Sequence, residues 1–568
     1  MTENKIRSNG QNGQRGMVLI VCLIILLMLS LIGIASITTS NSDLTVAGNE
    51  LNQTGSFYAA ESGLERAASE MKASYESSGI PPSPLPHGEV ELNNHHFTYT
   101  VTDDGPAVVD TLDIGSYNGL LALIREFNIN AVGYDPEFAI AVELEMGYMD
   151  ALVPLYQFAV YYENDLEIAP GLDLNIGGRV HSNGNIYVQS DNNVYFDSYV
   201  TSGGDIVHGR KPGGGSVNNS GNVYLMDDLG NHVNMRNGDG TYLDSYDANW
   251  VNNSLARWGG MVEDDNHGIT ELNMPVVSDG PTTDLIDRGA GNSDSYENQA
   301  GLKFVDGQIL YRQIDGSWLE VTGPLLAAGA VSLNVGFTDA REGMDVISTD
   351  IDIGALETSG YFPANGIIYA SYPPGMGTIS GVRLTGGLQL PSGGLTVATS
   401  NPLYTVGNYN TVAKQPASLI ADAITVLSNN WDDGNSGQGL GTRVATPTEV
   451  NASYITGNTE TGVDGHGYNG GYEGLTRFLE NWSGVTYTWS GSASAMWYSR
   501  QATGAWGSSY YRAPTLNWTF DTDLLDPANL PPGAPRINLI QRTSWSHAII
   551  NEYHSPYSDY DQGNMHGN

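Results

Sequence analysis

The strongest apolar pattern in the chain is an uncharged run near its start. The 21 residues 17–37 carry no charged side chain. As a helix they would be about 31 Å long, which is enough to cross the apolar core of a bilayer. From Asp43 onward, apolar residues recur at three- and four-residue steps with one slip near Glu61, and the sequence PPSPLP ends the pattern. We predict one helix over residues 17–76, apolar in its first half and amphipathic in its second. The recurring positions are Leu44, Ala47, Leu51, Thr54, Tyr58, Leu64, Ala68, Met71 and Tyr75.

After this helix the pattern changes to an alternation of apolar and polar residues, which is typical of strands. The segment HHFTYTVTDD, His95 to Asp104, alternates in this way, and LYQFAVYYEN after Pro154 predicts another strand. The segment YNGLLALIREFN, Tyr117 to Asn128, predicts a short helix instead. We therefore expect a linker with a small α/β segment over residues 77–155.

From Leu172 to Gly209, short apolar pieces alternate with turns rich in Asn, Gly, Ser and Asp. The echoing apolar positions are Ile186, Val188, Val194, Phe196, Val200 and Ile206. Short strands at such spacing are typical of a β-solenoid, in which each turn of chain stacks on the last. The predicted fold is α+β and mainly β, with a long N-terminal helix followed by a right-handed β-solenoid. Because the repeat is irregular, β-sandwich domains are the alternative.

A chain of 568 residues is too long for one ordinary core, so we expect two to four folded units. We expect in order a leader, the helix, the linker, a first β-rich part, a loop-rich insertion, a main β-rich part and a polar tail. Their bounds are 1–16, 17–76, 77–155, 156–210, 211–330, 331–550 and 551–568.

The amino-acid composition excludes one class of binding partner and several kinds of site. The chain has 63 acidic and 23 basic residues, a net charge of −40, so its surface repels phosphate backbones and nucleic acid is excluded as a partner. Its 70 glycines and low content of charged residues suit short strands and turns. The single cysteine, Cys22, lies in the apolar run, so the rest of the chain has no disulfide, catalytic thiol or thiolate metal site.

Motifs of catalysis are absent from the sequence, which lacks a G-x-S-x-G elbow, an H-E-x-x-H pair and a P-loop. Asp345, Asp350 and Asp352 could share one face of a strand, as carboxylates do in β-solenoids that cleave polysaccharides. Carboxylates that hold turns at strand ends are the commoner explanation. We predict no enzyme activity and no catalytic residues.

We also predict no cofactor and name no metal-ligating residue. If an ion is bound, calcium is the candidate, through the oxygen-rich turns Asn237 to Asp247 and Asn429 to Gly437. Neither turn fits the D-x-[DN]-x-[DN]-G loop, and Asn, Asp and Gly form turns without a metal. Seven of the ten tryptophans follow residue 430, and their spacing along strands predicts a core of large residues rather than an exposed sugar-binding surface.

The charges before the apolar run set its orientation. Lys5, Arg7 and Arg15 precede it, which places the leader on the cytoplasmic side and exports the rest of the chain. A cleaved secretory signal has an apolar core of about 7–15 residues and a small-x-small cleavage site. The run is longer than that, and its small-residue patch at 34–36 makes a poor site.

The sequence RGMVLIVCLIILLMLSLIGIASITTS, followed by VAGNELNQTGSFYAAESGLERA, resembles the N-terminus of PilX-type minor pilins. The most specific part is FYAAESGLERA, Phe57 to Ala67. The resemblance implies that a prepilin peptidase cuts between Gly16 and Met17, that the new N-terminus is methylated, and that the helix packs in a filament core. Phrases such as GRVHSNGNIYV resemble the exported region attached to PilX-type N-termini in environmental bacteria, patchily from about Leu155 to Trp545, and imply no activity.

One departure bears on the type of subunit. Position five of the mature chain is Val21, where major pilins have a glutamate that is thought to neutralise a neighbouring N-terminus during assembly. Its absence argues against a major, self-polymerising subunit, and K-type pseudopilins of type II secretion also lack it. The residues that the resemblance places in the assembly helix are Val21, Phe57, Tyr58, Glu61 and Gly63.

The sequence therefore predicts a minor pilin-like component of a type IV pilus or related filament, acting in assembly, tip presentation and adhesion. It would sit in the bacterial inner membrane by a single span with its C-terminus exported, and then on the pilus or cell surface. Expected partners are other pilins, the assembly machinery, the prepilin peptidase and a surface or glycan ligand. The alternatives are a K-type pseudopilin-like protein, a membrane-tethered β-helix enzyme acting on polysaccharide, and an anchored scaffold.

Overall fold

The chain folds as a long N-terminal helix followed by a β-rich body, which confirms the predicted α+β, mainly β class. The leader residues 1–12 and the tail residues 552–568 lie outside the described residues. The computed structural model describes residues 13–78, 80–92, 95–136, 140–215, 220–274, 281–289, 291, 293–463, 467–469 and 471–551.

The N-terminal helix runs over Gly13–Ser78, 66 residues, and includes the whole predicted range 17–76. It ends before PPSPLP, because proline lacks the amide hydrogen that a helix interior needs and clashes with the preceding turn. Side chains 17–51 are exposed, whereas from Asn52 onward one face of the helix is buried.

The second half of this helix packs on a six-stranded antiparallel sheet, here called the N-terminal sheet. Five strands follow one another across it and Val108–Thr111 pairs beside the third. The five, in order, are His87–Leu92, His95–Asp103, Leu121–Tyr134, Ile140–Pro154 and Arg536–Asn551.

The predicted helix over Tyr117 to Asn128 is wrong. Gly115–Tyr117 is a single 3-10 turn, and Leu121–Tyr134 is a central strand. The short apolar run fits the period of a helix as well as that of a strand, and pairing with neighbouring strands decides that it forms a strand. Strands His95–Asp103 and Ile140–Pro154 both hydrogen-bond to this segment, one on each side.

The rest of the body is inserted between two neighbouring strands of the N-terminal sheet. Arg536 lies opposite Pro154 in the antiparallel pair, so residues 155–535 leave and return at adjacent strand ends. The predicted unit 331–550 includes all of the strand Arg536–Asn551 except its last residue, but hydrogen bonding places this strand in the N-terminal sheet. Its partner strand is about 400 residues away in the chain, and local pattern carries no information on such a pairing.

The inserted residues form a stack of parallel strands with three faces, here called the parallel stack. In its first arm, residues 158–263, Ile186 lies between Leu166 and Ile206 in one sheet, so strands 20 residues apart are neighbours. The inward side chains of the three faces form one core, in which Ile186 and Val194 are 0% exposed. The strands of the first arm are Phe158–Tyr162, Leu166–Ile168, Leu174–Ile176, Arg179–Ser182, Ile186–Val188, Asn193–Phe196, Val200–Ser202, Ile206–His208, Asn222–Met226 and Val262–Glu263.

The second arm, residues 302–520, starts at the far end of the stack, and its successive strands lie progressively closer to the first arm. Its strand Ala493–Tyr498 pairs in parallel with Phe158–Tyr162, so both arms share one 12-stranded sheet. Its other strands in that sheet are Leu302–Val305, Gln308–Arg312, Trp318–Glu320, Ile367–Ser371, Leu395–Thr399, Ala417–Ala421 and Ser453–Asn458. The other two faces contain Val331–Asp339, Met344–Asp352, Ile379–Thr385, Leu403–Val406, Ile424–Leu427, Thr476–Phe478, Thr448–Asn451, Thr486–Gly491 and Thr515–Phe520.

The segment 211–330, predicted to be loop-rich, holds the two ends of the stack and the connection between them. Helix Trp250–Trp258 packs at the first end, and the strands Gln308–Arg312 and Trp318–Glu320 extend the second. Short helices also lie at Tyr296–Gln299, Thr322–Ala327 and Ile353–Thr358, and His232–Asn234 pairs antiparallel with Asn222–Met226.

The described residues between the two arms (264–274, 281–289, 291 and 293–301), here called the strap, lie on the outer face of the 12-stranded sheet. Near the first arm, the Leu272 amide donates to Asn183 Oδ1 at 2.8 Å. Further along, Thr282 donates to the Met496 carbonyl and Tyr369 donates to the Ile286 carbonyl. Leu272, Leu285, Ile286 and Tyr296 are buried there against the sheet.

Candidate assembly interface

Residues 17–42 of the N-terminal helix form an uncharged apolar rod with exposed side chains. Met17 is 71% and Val21 is 47% exposed, and Gly16 lies in the same helix. The hydroxyls of Ser30 and Thr38 donate to carbonyls one turn back, at 2.8 Å and 3.0 Å. These polar groups are therefore satisfied without water. The helix is long and apolar enough to cross a membrane.

The second half is held on the N-terminal sheet by small and apolar side chains. Gly133 of the sheet permits the close approach, because a Cβ there would lie 1.9 Å from the Ser56 carbonyl oxygen and 2.5 Å from the Ala60 amide nitrogen. Gly63 of the helix is less tightly confined, since a Cβ there would lie 3.0 Å from Ala131 Cβ. The buried helix residues are Ala59, Ala60, Leu64, Ala67, Ala68, Met71 and Tyr75.

A second stripe of the helix faces away from the sheet. Leu44, Leu51 and Tyr58 recur every seven residues and are 69%, 76% and 60% exposed. The slip in the sequence pattern near Glu61 marks the change between the two stripes. At about 100° per residue, Leu64 lies about 240° around the helix from Tyr58. The apolar positions expected to form one amphipathic face of the helix therefore form two faces, of which one packs on the sheet and the other is open.

The remaining predicted assembly residues flank this open stripe. Phe57 is partly buried, with its ring 6.3 Å from that of Trp545 in the last strand of the sheet. Glu61 is exposed beside it. One turn on, Glu65 accepts two hydrogen bonds from Arg542, at 2.8 Å and 2.6 Å. Both partners are half exposed, so this pair contributes at most about 1 kcal/mol.

A buried titratable group lies where the helix ends on the sheet. Asp150, in the strand Ile140–Pro154, is 5% exposed, and burial raises its pKa to about 6 despite the nearby polar side chains of Tyr75 and Asn538 and the charge of Arg125, which lower it. Burial likewise raises the pKa of Tyr75. Sequence reasoning missed Asp150 and Gly133, because each is defined by a neighbour distant in the chain.

The three carboxylates considered for catalysis each have a different structural partner. Asp350 binds Arg383, with an oxygen 2.5 Å from the guanidinium, and Arg383 also binds Asp433. Asp352 accepts from the Ala355 amide at a helix start, and Asp345 accepts from Thr338.

The oxygen-rich turns proposed for calcium are also hydrogen-bonded within the protein. Asp239 accepts from Thr241, and Asp432 accepts from the Gly434 amide. Among described residues, Asp205, Asp264 and Asp265 bring carboxylate oxygens within 4.8 Å of one another. Asp264 there accepts from Ser245, Trp250 and His267.

The predicted tryptophan core is present in the second arm. Trp482, Trp489, Trp497 and Trp518 are buried and Trp431 is partly so, whereas Trp506 and Trp545 are exposed. The rings of Phe478 and Tyr487 pack edge-on against that of Trp482, with centroids 5.2 Å and 6.0 Å away.

Comparison with known proteins bears on the helix more than on the body. Residues 15–65 match the family described as PilX N-terminal. No curated protein matches the chain. Among solved structures, the crystal structure of the competence-associated pilin ComZ from Thermus thermophilus is 11% identical, with 88% of this chain and 98% of that chain covered at a TM-score of 0.30.

Proposed function

We propose that this chain, whose residues 15–65 match the PilX N-terminal family, assembles into a type IV pilus or related filament as a minor subunit. The observation that carries the proposal is that one continuous helix presents three different surfaces. Its uncharged residues 17–42 are exposed, its inner stripe is packed on the N-terminal sheet, and its outer stripe at Leu44, Leu51 and Tyr58 is open. A soluble protein gains nothing from exposing so much apolar surface, whereas a membrane and then a bundle of helices would cover it.

Processing and location follow from the same helix. A prepilin peptidase would remove the basic leader between Gly16 and Met17 at the cytoplasmic face, and the new N-terminus would be methylated. The chain would stand in the inner membrane with its body exported, until the assembly machinery moves it into the filament. The positive leader and the uncharged span support this order of events.

The assembly residues divide into two roles. Gly63 and Phe57 hold the helix on the sheet, since a Cβ on Gly63 would lie 3.0 Å from Ala131 Cβ and Phe57 packs against Trp545. Tyr58 and Glu61 are exposed and would contact neighbouring pilin helices. Val21 leaves the fifth position without the carboxylate of major pilins, which favours a low-copy subunit.

We further propose that the parallel stack is a β-solenoid that the filament presents at its tip, where it contacts a surface ligand. Three faces with parallel neighbours 20 residues apart support the solenoid. The stack joins the pilin-like part through the adjacent residues Pro154 and Arg536. A body of this size is hard to repeat along a packed filament but fits at its end.

A K-type pseudopilin of type II secretion is the second candidate, favoured by Val21. The helix would serve either system, so the two are separated by phenotype: loss of pili on gene deletion supports the pilus, and loss of secretion with pili intact supports the pseudopilus. The tethered enzyme has less support, because Asp345, Asp350 and Asp352 are held by separate structural partners.

Cross-linking tests the open stripe directly. Leu51→Cys and Tyr58→Cys, each in a Cys22→Ser background, should cross-link to other pilins in sheared filaments, because both side chains are largely exposed. The matched control is Tyr246→Cys on the stack, where Tyr246 is 71% exposed and should remain free of pilins. Absence of cross-links from both helix positions, with the protein present in the filaments, would contradict the assignment of this face.

A further inference from the structure

An aromatic column lies on the outer surface of the first arm. Strands Leu174–Ile176, Asn193–Phe196 and Asn222–Met226 are parallel neighbours, and their outward residues Asn175, Tyr195 and Tyr224 lie in register. The rings of Tyr195 and Tyr224 stack with centroids 5.0 Å apart and planes 6° apart. Asn175 occupies the place of a third ring.

Because Asn175 is shorter than a tyrosine, it leaves an open slot beside the ring of Tyr195. A space of about 340 Å³ lies there, lined by Asp173, Leu174, Asn175, Tyr195 and His232. Small-molecule sites in proteins measure about 300–1,000 Å³. Because one face of Tyr195 is covered by Tyr224, the slot adjoins its other face, on the Asn175 side.

Polar groups border the slot on both sides. A second outward column consists of Asp173, Asn193 and Asn222, in which Asn193 Nδ2 donates to Asp173 Oδ1 at 3.1 Å and Asn222 Nδ2 donates to Asn193 Oδ1 at 3.2 Å. On the other side, the His232 ring lies edge-on to Tyr195 at 5.3 Å, and its Nε2 is 2.7 Å from Asp197 Oδ1. These hydrogen bonds fix the walls in place.

We propose that this slot binds one ring of a neutral polysaccharide. A sugar ring has an apolar face of C–H groups, which suits the exposed face of Tyr195, and a rim of hydroxyls that both donate and accept. Asp173 and Asn175 supply carboxylate and amide groups at that rim. An acidic sugar is disfavoured by the nearby Asp173 and Asp197 and by the net charge of −40.

The column also gives the site a direction. Parallel strands place equivalent outward residues in a line along the stack, so a linear chain that inserts one ring beside Tyr195 can continue along the second outward column of Asp173, Asn193 and Asn222. The site is independent of the pilus assignment, because it lies on the stack and requires neither cleavage nor assembly.

Binding is tested with the full-length chain in detergent by isothermal titration calorimetry. The neutral probes are cellohexaose and maltohexaose, and the acidic comparison is tetragalacturonate. We expect at least one neutral probe to bind, Tyr195→Ala to weaken it about tenfold or more through loss of the stacking face, and tetragalacturonate not to bind. The control Tyr246→Ala removes a tyrosine that is 71% exposed elsewhere on the stack and should bind as the unmodified chain does.

A second variant separates binding from folding. Asn175→Tyr would continue the aromatic column and fill the slot, so the stack should fold and unfold as before while binding is lost. Absence of binding by both neutral probes at millimolar concentration, unchanged binding in Asn175→Tyr, or equal binding of tetragalacturonate would each overturn the proposal.

Discussion

The N-terminal helix with its sheet and the parallel stack bury apolar side chains in two different ways. The helix rests on the sheet through one interface of small residues, in which Gly133 has backbone atoms of the helix within 2.5 Å of where a Cβ would be. The stack instead repeats the same contact along its length, as between Leu166, Ile186 and Ile206. A single added methyl group should therefore damage the first region more than the second, and damage to each should stay local because they are joined through two strand ends.

The largest expected effect comes from closing the gap under the helix. In Gly133→Ala the new Cβ would meet the backbone of Ser56, which cannot move aside as a side chain would. We expect a loss of about 3 kcal/mol or more in helix docking, seen as faster hydrogen exchange of amides 52–75 by mass spectrometry. Exchange in residues 166–208 should not change. Gly441→Ala, where a Cβ has no neighbour within 4 Å, is the control, and equal exchange in the two variants would contradict the close fit.

A comparable effect depends on pH. Because burial raises the pKa of Asp150 to about 6, the folded protein binds this proton more tightly than the unfolded chain does. The stability from this group is complete below its ordinary pKa near 4 and is lost as pH rises through 6, by about 3 kcal/mol in all.

Asp150→Asn removes this titration, so its helix docking should be less dependent on pH between 4 and 7 than that of the unmodified chain. Hydrogen exchange of amides 52–75 at several pH values measures the difference. The same slope in both proteins would show that Asp150 is not the titrating group.

The smallest effect is expected in the stack. Val194 is 0% exposed in the core, and Val194→Ala should cost about 2 kcal/mol through the lost methyl groups and the cavity. Exchange should increase in residues 166–208 and not in the helix, which is the reverse of Gly133→Ala. Val412→Ala, where Val412 is 43% exposed, provides the control. An increase that spreads equally to the helix would show that the two regions unfold as one.

Regular local patterns made part of this fold predictable. The helix and the strands around Ile186 and Val194 follow from hydrophobic period, and the 20-residue spacing is visible where no insertion interrupts it. Elsewhere insertions hide the spacing: Phe196 pairs with Leu225 and Val200 with Val262, at separations that differ from one another and from 20.

Pairing between distant segments could not be predicted. Arg536–Asn551 returns to the N-terminal sheet, and the second arm begins at the far end of the stack, although neither has a local signal. The same limit applies to the candidate interface. Phe57, Tyr58 and Gly63 were identified by resemblance, but Gly133 and Asp150 gain their roles from the helix that packs on them.

The most direct test of the central claim is mass spectrometry of the N-terminus of the protein isolated from sheared filaments. Our account predicts a mature chain that begins at Met17 with a methylated amino group. An intact leader, or a chain that begins near Ser36, would contradict it, because the apolar half of the helix could not then act as a processed pilin N-terminus.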